Sequence, residues 1–171
     1  KKELFAALRI IDEGHATPQT LKGSWAGAMG QVQFMPSSFL NFAVDYDGDG
    51  RKDLWHTRAD VFASAANYLQ QHGWHHNGGW SSRVRVPSAF DESLIGVEVK
   101  KPVADWYRLG VRSLDGSALP SRAGEVSVVM PDDKHGRAYL AYNNYMVLRS
   151  WNRSNYFVIS VGYLADRIVG G

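Results

Sequence analysis

The stretch Asp45 to His56, DYDGDGRKDLWH, places carboxylates at alternate positions around a tight glycine turn. Asp45, Asp47 and Asp49 fall at the first, third and fifth positions of an EF-hand-type calcium loop, and Gly50 takes the sixth. Arg51 would add its backbone carbonyl at the seventh. The twelfth position, where a bidentate Glu should close the coordination shell, is His56. Asp60, in the first turn of the helix expected next, is the carboxylate that would fold back in its place. Its competing role is helix capping, because Thr57 followed three residues later by Asp60 resembles a capping box. Carboxylates this close repel one another unless a cation neutralises them, so the loop is expected to hold Ca2+. A single loop without the bidentate Glu suits a structural staple better than a calcium sensor.

A second dense stretch is LKGSWAGAMGQVQFMPSS, residues 21 to 38. Its small residues let backbone approach closely, while Ser24, Gln31 and Gln33 set neutral hydrogen-bonding groups beside Trp25, Met29 and Phe34. Amides bond sugar hydroxyls and aromatic rings cover the apolar face of a sugar, so the composition suits a polyhydroxylated, N-acetylated glycan. A tight helix-helix corner would use the same residues. His72, His75 and His76 surround Trp74 and raise the question of zinc. No carboxylate lies at suitable local spacing, and a solvated loop at a helix end is expected. Arg149 and Arg153 are candidates for substrate carboxylates or for plain surface charge. The four methionines read as packing, and Trp80 and Trp106 as core or groove wall.

The elements that must position these groups follow from periodicity. Leu4, Phe5, Leu8 and Ile11 fall at helical spacing and Gly14 ends the run, predicting a helix over about 2–13. Pro36 starts a short helix that would bury Phe39, Leu40 and Ala43. Val61, Phe62, Ala65 and Leu69 make an amphipathic helix ended by Gly73. From Trp80 to Tyr142 the texture turns to strand-like pieces, RVRV (83–86), IGVEVK (95–100), VSVVM (126–130) and AYLAY (138–142), with turn signals at Asp115-Gly116 and Pro131-Asp132-Asp133. Phe157, Val161, Leu164, Ala165 and Ile168 then form a helical stripe expected to pack on the first lobe. The organisation expected is a helical lobe over 1–79, a β-rich subdomain over 80–142, and returning helices over 143–171.

The totals narrow the function classes. The chain has 171 residues, 44% hydrophobic and 21% charged, enough for one sizeable core. A net charge of +2 gives no electrostatic case for nucleic acid. The absence of cysteine excludes disulfides and zinc-thiolate sites. There is no apolar run of about 18 residues and so no membrane-spanning helix in the sequence. The opening KKELFAAL is already helical without an N-cap, as in a chain cut or processed inside an element.

GSWAGAMGQVQFMPSSF, then AVDYDGDGRKDLW and ANYLQQHGW, resemble the lytic murein transglycosylase B family. The likeness continues through FDESLIGVEVKKPVADWYRLGV to SWNRSNYFVISVGYLADRI and so covers essentially the whole chain. It implies an α+β, mainly α fold: a lysozyme-like helical core with a small inserted β-rich subdomain and an EF-hand-like calcium loop. It further implies structural Ca2+ on Asp45, Asp47, Asp49, Arg51 and Asp60, and peptidoglycan contacts from Ser24, Gln33, Tyr68 and Asn152. Where many members carry tyrosine, this chain has Trp151 and Phe157, which offer no hydroxyl. The implied location is the bacterial periplasm, either soluble or anchored to the outer membrane through a lipidated segment not included in this sequence.

The family's reaction needs one Glu as general acid, and the resemblance places it upstream of Lys1. None of the five glutamates in the chain matches it. Glu13 is the least unsuitable, yet it lies near a helix C-terminus, where a carboxylate charge is disfavoured. Two readings follow: a C-terminal part of a complete transglycosylase, favoured by the uncapped start, or a non-catalytic, calcium-stapled module that binds glycan.

Overall fold

The computed structural model describes residues 1–121, 124–132 and 136–170. Backbone contacts divide the chain into two compact units, Lys1–Gln71 and His72–Gly171. Residues 143–171 fall in the second unit. Asp133, the third residue of one expected turn, lies outside the described residues.

In the first unit α1 (Lys2–Asp12) ends where Gly14 adopts φ +80°, a conformation that a side chain disfavours. Its buried residues are Ala6 and Ile10, whereas Leu4, Phe5 and Leu8 are exposed. The expected stripe is therefore rotated. What orients α1 is polar: Glu3 accepts from both the backbone N–H and the hydroxyl of Ser37, in the first turn of α2 (Pro36–Phe42). Pro36 sits at the start of α2, where a missing N–H costs nothing, and Phe39 is fully buried while Leu40 is only half-buried. In α3 (Arg58–Gln71) the buried face is Asp60, Val61, Ser64 and Tyr68, and Phe62 points to solvent. The apolar stripe placed this helix correctly but misjudged its face, because two of the four buried positions are polar.

The second unit is built on a five-stranded antiparallel sheet in the order β2-β4-β5-β1-β3. The strands are β1 (Ser81–Arg85), β2 (Lys101–Pro102), β3 (Arg112–Ser113), β4 (Glu125–Val129) and β5 (Ala138–Ala141). Residues 95–100 are not a strand. A single 3-10 turn, Glu92–Leu94, leads to one isolated bridge between Ile95 and Val128, and Gly96 at φ +138° breaks the extension that the alternating apolar residues promise. The short helix α4 (Val103–Arg108) was hidden in the strand-like texture. It buries Trp106 completely against Val84, Val111, Val128 and Leu140, with the indole N–H donating to the Val126 carbonyl.

α5 (Asn143–Trp151) and α6 (Asn155–Val169) complete this unit. Asn144 is 1% exposed and its side-chain amide makes both hydrogen bonds to the backbone of His75, which fixes the loop after α3. In α6 the buried positions are Val158 and Gly162, while Val161, Leu164 and Ile168 are exposed. Gly162 is there because a Cβ would overlap the Trp80 ring. Trp80 also donates to Asp166 and stacks on Tyr145. None of the described helices is long and apolar enough to cross a membrane.

The Tyr145 hydroxyl is buried without a hydrogen-bond partner, and burial pushes its phenol up to about 12. An unsatisfied buried hydroxyl costs about 1–3 kcal/mol. Tyr145→Phe is therefore expected to raise the melting temperature by a few degrees in differential scanning calorimetry. A lower melting temperature would show that the hydroxyl has a partner.

Candidate functional site

The acidic loop lies between α2 and α3. Asp45 accepts hydrogen bonds from Gly48 and Gly50 on its two oxygens, Asp47 from the Asp49 N–H, and Asp49 from the Arg51 N–H. Gly48 and Gly50 both have positive φ, so the chain winds back on itself and draws the side chains inward. Ligand oxygens of Asp45, Asp47 and Asp49 come within 4.8 Å of one another. No Lys or Arg forms an ion pair with any of the three among the described residues. The Asp49 N–H draws the Asp47 carboxyl down, but desolvation and the charges of Asp49, Asp60 and Asp45 outweigh it and leave Asp47 above its ordinary value. Hard oxygens, mutual repulsion and no internal counter-charge fit a divalent cation that takes oxygen ligands.

Asp60 stands apart from that cluster. It is 1% exposed, and its two oxygens accept the N–H groups of Tyr46 and Asp53, each at 2.8 Å. It thus ties the entry of the loop to its exit. Asp53 continues the arrangement by accepting from Trp55 and His56. Those two N–H bonds, with the His56 side chain, outweigh desolvation and hold the Asp53 carboxyl below its usual range. Sequence reading overlooked Asp53, although a carboxylate before a Leu-Trp-His turn is an Asx-turn signal.

The exit of the acidic loop carries the glycine-rich segment. Gln31 donates its backbone N–H to the Leu54 carbonyl and its side-chain amide to the Trp55 carbonyl, while the Trp55 indole donates to the Lys22 carbonyl. Met29 and Phe34 pair across a tight turn whose corner residues, Gly30 and Gln33, both have positive φ. Gln33 is the one described non-glycine residue in that region, at φ +53°. Such strain persists only where surrounding bonds impose it.

Three of the expected glycan contacts share one feature. Ser24 Oγ accepts from the Ala28 N–H, Gln33 Nε2 donates to the Gly30 carbonyl, and Asn152 Oδ1 accepts from the Ser154 N–H. Each side chain is exposed, has one polar end pinned by a local backbone group, and keeps its other end without a partner among the described residues. Ser24, Gln33 and Tyr68 belong to the first unit and Asn152 to the second. Tyr68 differs, being only 8% exposed, with its ring 5.5 Å from that of Phe34 and 4.9 Å from that of Phe42. Burial raises its phenol pKa. Trp25, beside Ser24, is fully exposed.

The glutamates at the first unit's helix ends lack the environment of a general acid. Glu3 is drawn below its ordinary value chiefly by the Ser37 N–H, and Glu13 by the Arg9 guanidinium. The histidines at 72, 75 and 76 form no metal-capable cluster among the described residues.

A profile described as the Transglycosylase SLT domain matches residues 1–166. The membrane-bound lytic murein transglycosylase B of Escherichia coli (strain K12) is 49% identical over 72 residues, which are 42% of this chain and 20% of that protein. SltB3 of Pseudomonas aeruginosa, crystallised with NAG-anhNAM-pentapeptide, superposes with a TM-score of 0.94 at 40% identity, covering 99% of this chain and 46% of that one. The Escherichia coli lytic transglycosylase Slt35, in complex with calcium, superposes with a TM-score of 0.84 at 28% identity, covering 98% and 52% respectively. The chain thus spans about half or less of the length of these relatives. With the profile matching nearly its whole length, the chain belongs to the Transglycosylase SLT domain family.

Proposed function

We propose that the protein is a peptidoglycan lytic transglycosylase that cleaves the β-1,4 bond between N-acetylmuramic acid and N-acetylglucosamine and leaves a 1,6-anhydro end. The observation that carries this reading is the half-pinned state of polar side chains in each unit, Ser24 and Gln33 in the first and Asn152 in the second. Side chains already fixed at one end lose little entropy on binding. Ser24 and Asn152 keep donors and Gln33 keeps an acceptor, a mixture suited to hydroxyl and acetamido groups. The exposed Trp25 ring offers a face for a sugar.

In this chemistry a Glu protonates the glycosidic oxygen as the bond from the anomeric carbon breaks. The resulting carboxylate then takes the proton of the muramyl 6-hydroxyl as that oxygen closes on the anomeric carbon, which restores the acid without water. The reading draws this Glu from outside residues 1–171. The acidic loop would hold Ca2+ through Asp45, Asp47, Asp49 and the Arg51 carbonyl, with Asp60 as a clamp on the loop backbone. Its contribution is structural, because the loop's exit carries the segment from Lys22 to Phe34. A cell-envelope substrate places the protein in the bacterial periplasm, where a lipid anchor belonging to another part of the protein would hold it to the outer membrane.

The unsuitable surroundings of Glu3 and Glu13 favour one alternative, a calcium-stapled module that binds glycan without turnover. Asn152→Ala separates site from scaffold in either reading. It should weaken binding of a peptide-free glycan tetramer about five-fold or more in calorimetric titration, with an unchanged melting temperature. Unchanged affinity would remove Asn152 from the site.

A further inference from the structure

We infer that a cavity of about 570 Å3 in the second unit, between the Val97-Glu98 segment and α5, binds the zwitterionic end of a peptidoglycan stem peptide, one that carries both a free ammonium and a carboxylate. The inference rests on the peptidoglycan reading above. Glu98, Arg149 and Arg153 line this cavity, yet no ion pair joins them. The side chains of Glu98 and Arg153 are exposed and have no hydrogen-bond or ionic partner among the described residues. Opposite charges that face one space while standing beyond salt-bridge distance match a ligand that bears both signs.

Arg149 is the anchored member. Its Nη1 donates to the Arg153 carbonyl and to Asn155 Oδ1, which fixes the guanidinium plane and leaves its remaining N–H groups to meet a carboxylate. Val97 and Met146 supply an apolar wall for the aliphatic chain between the two charges. A simple anion is disfavoured by Glu98 and a simple cation by the two arginines. Asn152 lies in the turn between Arg149 and Arg153, the two arginines that line the cavity.

The test is calorimetric titration of the full protein with three ligands. These are a peptide-free glycan tetramer, the same glycan bearing a tripeptide that ends in a diamino acid, and that muropeptide with its free amine acetylated. The free-amine muropeptide should bind about ten-fold tighter than the acetylated one. Glu98→Gln should erase this difference, and Arg153→Ala should weaken both muropeptides about ten-fold while leaving the peptide-free glycan unaffected. Equal affinities for the free and acetylated forms, with glycan binding intact, would overturn the inference alone. Failure of the wild-type protein to bind the peptide-free glycan would overturn the glycan reading and this inference together. Because both side chains are exposed, unchanged melting curves will show that the variants are folded.

Discussion

Gly30→Ala should unfold the protein about 5–15 °C earlier and abolish glycan binding. A Cβ at this position would stand 2.6 Å from the Leu54 carbonyl oxygen and 2.7 Å from Leu54 Cβ, and the backbone there has φ +65°. Leu54 is fully buried, so it has no room to give way. The left-handed conformation costs a side chain about 1–2 kcal/mol and the overlap adds about 1–3 kcal/mol. Relief of the clash would break the bond between the Gln31 N–H and the Leu54 carbonyl and release the turn that imposes left-handed geometry on Gln33. Gly14→Ala is the control, since Gly14 has φ +80° with nothing within 4 Å of an added Cβ. It shares the conformational cost without the clash. If thermal melts show Gly30→Ala to be no worse than Gly14→Ala, the close approach of the two loops has no energetic weight.

The second large effect concerns the cation. Saturating Ca2+ should raise the melting temperature of the wild-type protein by about 5–10 °C relative to excess chelator, because a ligand bound only by the folded state stabilises it by mass action. Asp47→Ala should remove most of that difference and leave the melting temperature in chelator unchanged or slightly higher. The reason for the rise is electrostatic: without a cation, desolvation and the charges of Asp49, Asp60 and Asp45 outweigh the bond that Asp47 accepts from the Asp49 N–H. Asp60→Asn is expected to act differently, lowering the melting temperature with and without Ca2+, since Asp60 accepts two backbone N–H groups. An equal loss for Asp47→Ala in calcium and in chelator would contradict its assignment as a ligand.

These expectations show which features were written locally in the sequence. The three aspartates around Gly48 and Gly50 were legible because ligand spacing is a short-range property of one turn. Gly14 and Pro36 likewise marked helix ends through local geometry. Helix faces were not legible in the same way. Leu4, Phe5, Leu8 and Phe62 have helical spacing but are exposed, while the partners that orient α1 and α3 lie outside those helices, Ser37 for α1 and Tyr46 with Asp53 for α3. Residues 95–100 alternate like a strand, yet one glycine at φ +138° decides the matter, and a lone glycine does not announce its φ. Trp106 was read as core or groove wall, and the six-residue helix that carries it was too short to show a period.

The same distinction applies to the candidate site. Ser24, Gln33 and Asn152 were identified from the motif resemblance, whereas their shared half-pinned state became visible only in the fold. Asp60 was read as the carboxylate that closes the loop in place of the missing Glu, while its bonds to the Tyr46 and Asp53 N–H groups became visible only in the fold. The clamp from Gln31 to Leu54 and Trp55 went unread because it joins segments more than 20 residues apart, whereas Asp53, a local Asx-turn, was overlooked.

The most direct test of the central claim is digestion of purified peptidoglycan sacculi by the full protein in water enriched in oxygen-18, with the released muropeptides analysed by mass spectrometry. The expected products carry 1,6-anhydro-muramyl ends and no heavy oxygen, because the muramyl 6-hydroxyl replaces water. Reducing ends labelled with oxygen-18, or binding of sacculi with no release of anhydro products, would contradict it.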